Sequence, residues 1–336
     1  MSKSGPLRIV SIGGGTGLSA LLQGLKQYAG PAGSPQVDIT AVVTVSDDGG
    51  SSGRLRREFD VLPPGDIRNC MVALSQDAHL LSRLFQYRFE TGHGLKGHSF
   101  GNLFLTALTH TTGDFPEAIR VSSEVLRIVG RIYPATVANV SLEATLEDGT
   151  PVKGETNISK SRVPIRAIRL RPRKVKPLAD TLIAIAEADL ITLGPGSLFT
   201  SVIPNLLVEG IPSAIRRSPA VKAYFVNLMW QPGETVNFKA SDHIRALREH
   251  AGGKLVDYAV VNTTPIRPAV RKRYERAQAL PVENDIERIA EMGVQVVAGD
   301  LAQQSDKVRH DPDRTAALLV KLAQEGRRLI RSSRKK

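Results

Sequence analysis

The chain is poor in aromatics and nearly free of cysteine. Aromatic residues fill 5% of its 336 positions, with a single tryptophan, Trp230, so the stacking platforms used by single-strand nucleic-acid binders are scarce. One cysteine, Cys70, excludes an internal disulfide framework and any multi-cysteine metal site. It lies in an apolar helical run and is read as buried packing. No paired-histidine spacing suited to zinc occurs. No glycine-rich loop is followed by the lysine of a P-loop, which argues against Walker-type hydrolysis. No apolar run approaches the ~20 residues of a membrane span, and no signal-peptide pattern opens the chain. The expectation is a cytoplasmic protein that does not cross a membrane.

What is present is charge and glycine. Net charge is +12, enough to suggest an anionic partner. Much of the excess lies in two blocks. One runs through Lys160, Arg162, Arg166, Arg169, Arg171, Arg173, Lys174 and Lys176, and is read as a solvated strand face. The other is the tail, with Arg327, Arg328, Arg331, Arg334, Lys335 and Lys336, read as a frayed end. No nucleic-acid-binding signature accompanies either, so nucleic acid is not an expected partner.

Hydrophobic periodicity predicts strands over Leu7 to Ile12, Asp38 to Ser46, Leu190 to Leu193, Ala223 to Leu228, Tyr258 to Val261 and Val294 to Val297. Helical patterns lie between them, including Leu18 to Tyr28, His79 to Phe89, Pro116 to Ile128 and a last helix from about Arg314 to Ile330. Alternating apolar and polar residues around the turn Glu147-Asp148-Gly149-Thr150 predict a β-hairpin. The fold class is therefore α/β: a doubly wound, mostly parallel Rossmann-like sheet in three α/β/α layers. One domain is expected over 1–330, with a β-rich insertion at about 134–172 and a basic tail at 331–336.

In such folds ligands sit beyond the carboxyl ends of the strands. The first strand runs into Gly13-Gly14-Gly15-Thr16-Gly17, a turn that brings bare backbone and a helix N-terminus together, both suited to phosphate. Leu193 is followed by Gly194-Pro195-Gly196-Ser197, a second such turn. Two phosphate-grade loops point to a nucleotide carrying a further group, such as a nucleotide sugar.

Asp47 and Asp48, followed by Gly49, Ser51, Ser52 and Arg54, suit ribose or sugar hydroxyls, a phosphate, or a hydrated Mg²⁺, with Asp48 the candidate metal ligand. Asp66 reads as a helix cap, and Arg68 and Asn69 in that helix's first turn as cleft residues. His98 and Asn102 open another helix start, where an anion is favoured.

Taken together these segments resemble the gluconeogenesis factor family (YvcK-type proteins) of the CofD-like superfamily. The matching stretches are Gly13 to Leu18, Asp47 to Gly53, Pro64 to Asn69, Gly97 to Asn102, Gly194 to Ser197 and Gln231-Pro232-Gly233-Glu234-Thr235, continued by Arg273-Tyr274 and Arg309-His310-Asp311-Pro312. The resemblance implies a cytoplasmic regulator that binds UDP-sugars such as UDP-N-acetylglucosamine and supports cell shape and wall synthesis during gluconeogenic growth. It places a ligand-binding Tyr and Arg at Tyr274 and Arg309, a ring to stack on uracil and a fork for the diphosphate. The expected partners are the nucleotide sugar, cell-wall synthesis proteins and a second copy of the chain as a homo-oligomer. No catalytic residue is assigned. The alternative is the superfamily's enzymatic branch, a Mg²⁺-dependent transferase that moves a phospholactyl-type group from a nucleotide donor to a deazaflavin precursor.

Overall fold

The structure, a computed structural model, describes residues 5–29, 36–76 and 80–333. Its strands are β1 (Leu7–Gly13), β2 (Val37–Val43), β3 (Arg131–Pro134), β4 (Ser141–Leu146), β5 (Pro151–Lys153), β6 (Ile165–Arg171), β7 (Leu190–Leu193), β8 (Val221–Phe225), β9 (Tyr258–Asn262), β10 (Gln295–Gly299), β11 (Ala302–Gln304) and β12 (Val308–His310). Its helices are α1 (Gly15–Lys26), α2 (Gly50–Phe59), α3 (Gly65–Leu74), α4 (Leu80–Gln86), α5 (Phe100–Thr112), α6 (Phe115–Val125), α7 (Glu155–Ile158), α8 (Ala179–Glu187), α9 (Ile203–Leu206), α10 (Ile211–Arg217), α11 (Ala240–Ala251), α12 (Pro268–Glu275), α13 (Ile286–Glu291) and α14 (Pro312–Ser333). A π-helical turn, Leu198–Val202, leads into α9.

Seven strands form one sheet in the order β10-β9-β8-β7-β1-β2-β3, and every pairing within it is parallel. Helices cover both faces, as the continuous apolar runs of β1, β2 and β7 require. Ile9 sits opposite Ile39 on one side and Leu190 on the other, and all three side chains are fully buried. The chain runs outward from β1 through β2 to β3, and again from β7 through β8 and β9 to β10. The gap between β1 and β7 is thus the topological switch point, where such folds place ligands.

The expected doubly wound sheet and the antiparallel hairpin are both present. β4 pairs antiparallel with β5 and with β6. The second strand of that hairpin stops at Lys153, and the chain then turns into α7. β3 had no clear sequence signal; it has four residues, two of them buried. The glycine-serine run after Asp48 is helical from Gly50 onward, because α2 buries Ser51, Ser52, Gly53 and Leu55 on one side. His79 and residues 334–336 lie outside the described residues.

The first basic block is a solvated face as expected, with Arg166, Arg171, Arg173, Lys174 and Lys176 exposed. Within it Arg171, through Nε at 2.9 Å, and Arg169 both grip the buried Glu143 and hold its carboxyl down at about 2. The expectation for the tail needs correcting. Arg327 is no frayed end. It donates to both carboxylate oxygens of Asp189 and to the carbonyls of Gly5 and Pro6. Cys70 is fully buried as expected, and burial pushes its thiol pKa well up. Among the described residues, no single helix is long and apolar enough to cross a membrane.

Candidate functional site

A cleft of about 260 Å³ opens at the switch point. The first glycine loop supplies Gly14, Gly15, Thr16 and Gly17, and the second supplies Pro195, Gly196 and Ser197. Tyr274 from α12 and Arg309 from β12 complete the opposite wall. Chain segments hundreds of residues apart thus meet in one place.

The two loops touch. A Cβ added at Gly17 would lie 2.5 Å from the Pro195 carbonyl oxygen and 3.0 Å from the Gly196 Cα, so only glycine permits this approach. Gly194 has φ +75°, a backbone region other residues rarely adopt, and turns β7 back toward Gly13. Gly13 and Gly194 form the base beneath the loops, with the Gly194 N–H donating to the Ile12 carbonyl at 2.9 Å.

Part of the positive field at these helix starts is already answered from within. Asp66 does not cap its own helix; Pro64 holds the N-cap position of α3 and no side chain caps it. Its buried carboxylate instead accepts the Gly15 N–H of α1, while burial raises its pKa to about 6. At the second loop, the buried Glu234 accepts the Phe199 N–H at 3.1 Å and the Thr200 hydroxyl at 3.0 Å, and burial raises its pKa too. The donors left for a ligand are the N–H groups of Thr16 and Gly17, which have no acceptor inside the helix, the second loop, and the Arg309 fork.

Ser197 is held in place by a relay of amides. Gln231 Nε2 donates to its hydroxyl oxygen at 2.7 Å, which leaves the hydroxyl hydrogen free to donate. Asn227 Nδ2 in turn donates to Gln231 Oε1 at 2.6 Å and fixes the orientation of that amide. Tyr274 is anchored by its hydroxyl, which accepts the Val308 N–H at 2.8 Å.

The other predicted residues do not line this cleft. They form a hydrogen-bonded knot on the far side of Asp66. Asp47 accepts from Gly49 N–H at 2.8 Å and from Ser52. Asp48 Oδ1 accepts from the Thr156 N–H at 2.9 Å and the Thr156 hydroxyl at 2.7 Å, which ties this loop to α7 of the insertion. Ser51 pairs with His98 Nδ1 at 3.0 Å, and both are buried. Burial, then the neighbouring Arg54, lowers the His98 pKa. Arg54 reaches the Lys96 carbonyl at 2.8 Å. Arg68 donates to Ser99 and, at 2.6 Å, to Asn69 Oδ1. Asn102 Nδ2 meets Ser52 at 3.4 Å.

Beneath the knot lies Glu155 of α7. Burial, then the charges of Asp47, Asp66, Glu234 and Asp48, raises its pKa to about 9. Burial and these like charges favour the protonated form of Glu155. Among the described residues no three His, Cys, Asp or Glu side chains converge to hold a metal.

Sequence reasoning missed Asn227, Leu228, Met229, Trp230 and Gln231, which form one side of the cleft. The strand predicted over Ala223 to Leu228 ends at Phe225, so Asn227 and Leu228 belong to the loop. The rule that loops after parallel strands carry ligands would have found them with the boundary placed two to three residues earlier.

These features define a doubly wound α/β protein with a cleft at its switch point. The chain belongs to the 2-phospho-L-lactate transferase CofD family, whose model matches residues 9–302. It is similar to the gluconeogenesis factor of Bacillus subtilis, with 47% identity over 319 residues that cover 95% of this chain and 98% of that protein. The gluconeogenesis factor of Halalkalibacterium halodurans is 46% identical over 313 residues, covering 93% and 95%. A crystal structure of a protein from Bacillus halodurans superposes with a TM-score of 0.90 at 46% identity, covering 94% of this chain and 99% of that one.

Proposed function

We propose that this chain is a gluconeogenesis factor that works by binding a nucleotide sugar of the UDP-N-acetylglucosamine type, without turning it over. One observation carries the reading: the two glycine loops, Tyr274 and Arg309 meet in a single cleft. The diphosphate lies across Thr16, Gly17, Gly196 and Ser197, with Arg309 as its counter-charge. The uracil rests on the Tyr274 ring. The names of the relatives support the regulatory role. Through it we place the chain in morphogenesis and wall synthesis under gluconeogenic growth.

Calorimetric titration with UDP-N-acetylglucosamine tests this. Binding is expected in the wild type. Tyr274→Ala weakens it roughly tenfold to a hundredfold, the value of stacking one base on an aromatic ring, while Tyr274→Phe, which keeps the ring but gives up the bond from the Val308 N–H, loses less. No heat at millimolar ligand would remove the proposal. The second reading, a transferase, draws on the family's description and on the buried carboxyls beside the first glycine loop. Consumption of the nucleotide donor over time would favour it.

A further inference from the structure

A second recess, of about 300 Å³, runs along the carboxyl ends of β8 and β9 and shares Asn227 and Leu228 with the cleft. None of its lining residues is charged, and none is aromatic. In a chain with 23% charged residues, a neutral wall of this size selects against ionic ligands. The missing aromatics make it a poor seat for a base, which the first cleft receives at Tyr274.

Its polar groups have a consistent sense. Asn284 Nδ2 donates to the Asn262 carbonyl at 2.7 Å, and Asn227 Nδ2 is held by Gln231. Asn262 is tied at both ends, accepting from the Leu301 N–H at 3.0 Å and donating to the Thr264 carbonyl at 2.8 Å. The Oδ1 atoms of Asn227 and Asn284 therefore stand as pre-oriented acceptors, with the Thr263 hydroxyl beside them. Leu228, Ile266 and Val282 supply apolar flanks. Fixed acceptors between apolar walls suit an uncharged ring that presents several hydroxyl donors.

Position agrees with chemistry. The relay Asn227–Gln231–Ser197 consists of two hydrogen bonds, of 2.6 Å and 2.7 Å, through one amide. Asn227 thus lies no more than about 8 Å from the loop proposed to hold the diphosphate, a gap that one sugar ring spans. We propose that this recess is the subsite for the sugar of the bound nucleotide sugar, with Asn227 and Asn284 accepting from its hydroxyls. The proposal rests on the nucleotide-sugar reading above and adds the choice of a neutral over an acidic sugar.

The test is calorimetry of wild type and Asn284→Leu with UDP, UDP-N-acetylglucosamine and UDP-glucuronate. Wild type is expected to bind UDP-N-acetylglucosamine roughly tenfold more tightly than UDP, one hydrogen-bond set being on the order of 1.4 kcal/mol. UDP-glucuronate should gain nothing over UDP. Asn284→Leu should keep UDP affinity and lose the advantage of the sugar. Thr263→Val, at an exposed position, should lose part of that advantage and serves if Asn284→Leu fails to fold. An undiminished advantage in a folded variant overturns the proposal. Equal losses for UDP and UDP-N-acetylglucosamine also overturn it, since the uridine would then occupy the recess. A wild type that binds neither ligand overturns the nucleotide-sugar reading itself.

Discussion

Gly17→Ala probes the contact between the two glycine loops. The new methyl would sit 2.5 Å from the Pro195 carbonyl oxygen and 2.7 Å from its carbon. Ordinary carbon–oxygen contact needs about 3.4 Å, so the loops must separate by roughly an ångström, and both atoms are backbone that cannot swing aside. Overpacking of this kind costs about 1–3 kcal/mol, or a few degrees in Tm for a chain of this size. The effect on ligand should be larger in proportion. A diphosphate that bridges both loops loses its fit when one moves by about an ångström, and misplacement of that order costs up to ~100-fold. Thermal melting and calorimetry with UDP-N-acetylglucosamine read the two effects separately. Gly299→Ala is the control, since its methyl would meet nothing closer than 3.6 Å. A Tm drop with unchanged affinity would show that the ligand does not bridge the loops. No Tm change at all would mean that the loops are not in contact.

Other expectations concern the buried charges. Glu155 titrates near 9 because it is buried among other carboxyls. A carboxyl raised above its unfolded value stabilises the fold at low pH and loses that contribution as pH rises through the folded value, by up to ~1.4 kcal/mol per unit. The wild type should therefore lose thermal stability between about pH 5 and about pH 9, and Glu155→Gln should flatten that slope; an unchanged slope would place the titration elsewhere. Arg327→Ala removes both contacts to the largely buried Asp189 and should cost about 2–4 kcal/mol in urea unfolding. A loss under about 0.5 kcal/mol would mark the pair as surface-like.

The sheet was legible because buried parallel strands are continuous apolar runs. β7 was read to the residue, since Leu190–Leu193 is wholly buried and Gly194 ends it. β3 was not legible. Four residues, one of them proline, give no period to read, and only pairing with β2 makes them a strand. The glycine loops were legible as strand-to-helix turns. What they face was not, because Asp66 and Glu234 reach them across the fold and no local pattern encodes such contacts. The same holds for Asp48. Next to Asp47 it reads as a ligand pair, yet its partner is Thr156, 108 residues further on.

A crystal structure of the complex with UDP-N-acetylglucosamine tests the central claim most directly. The diphosphate should lie within hydrogen-bonding distance of Thr16, Gly17 and Ser197, with the uracil against Tyr274. A diphosphate seated in the knot of Arg68, His98 and Asn102, or outside the switch point altogether, would contradict it.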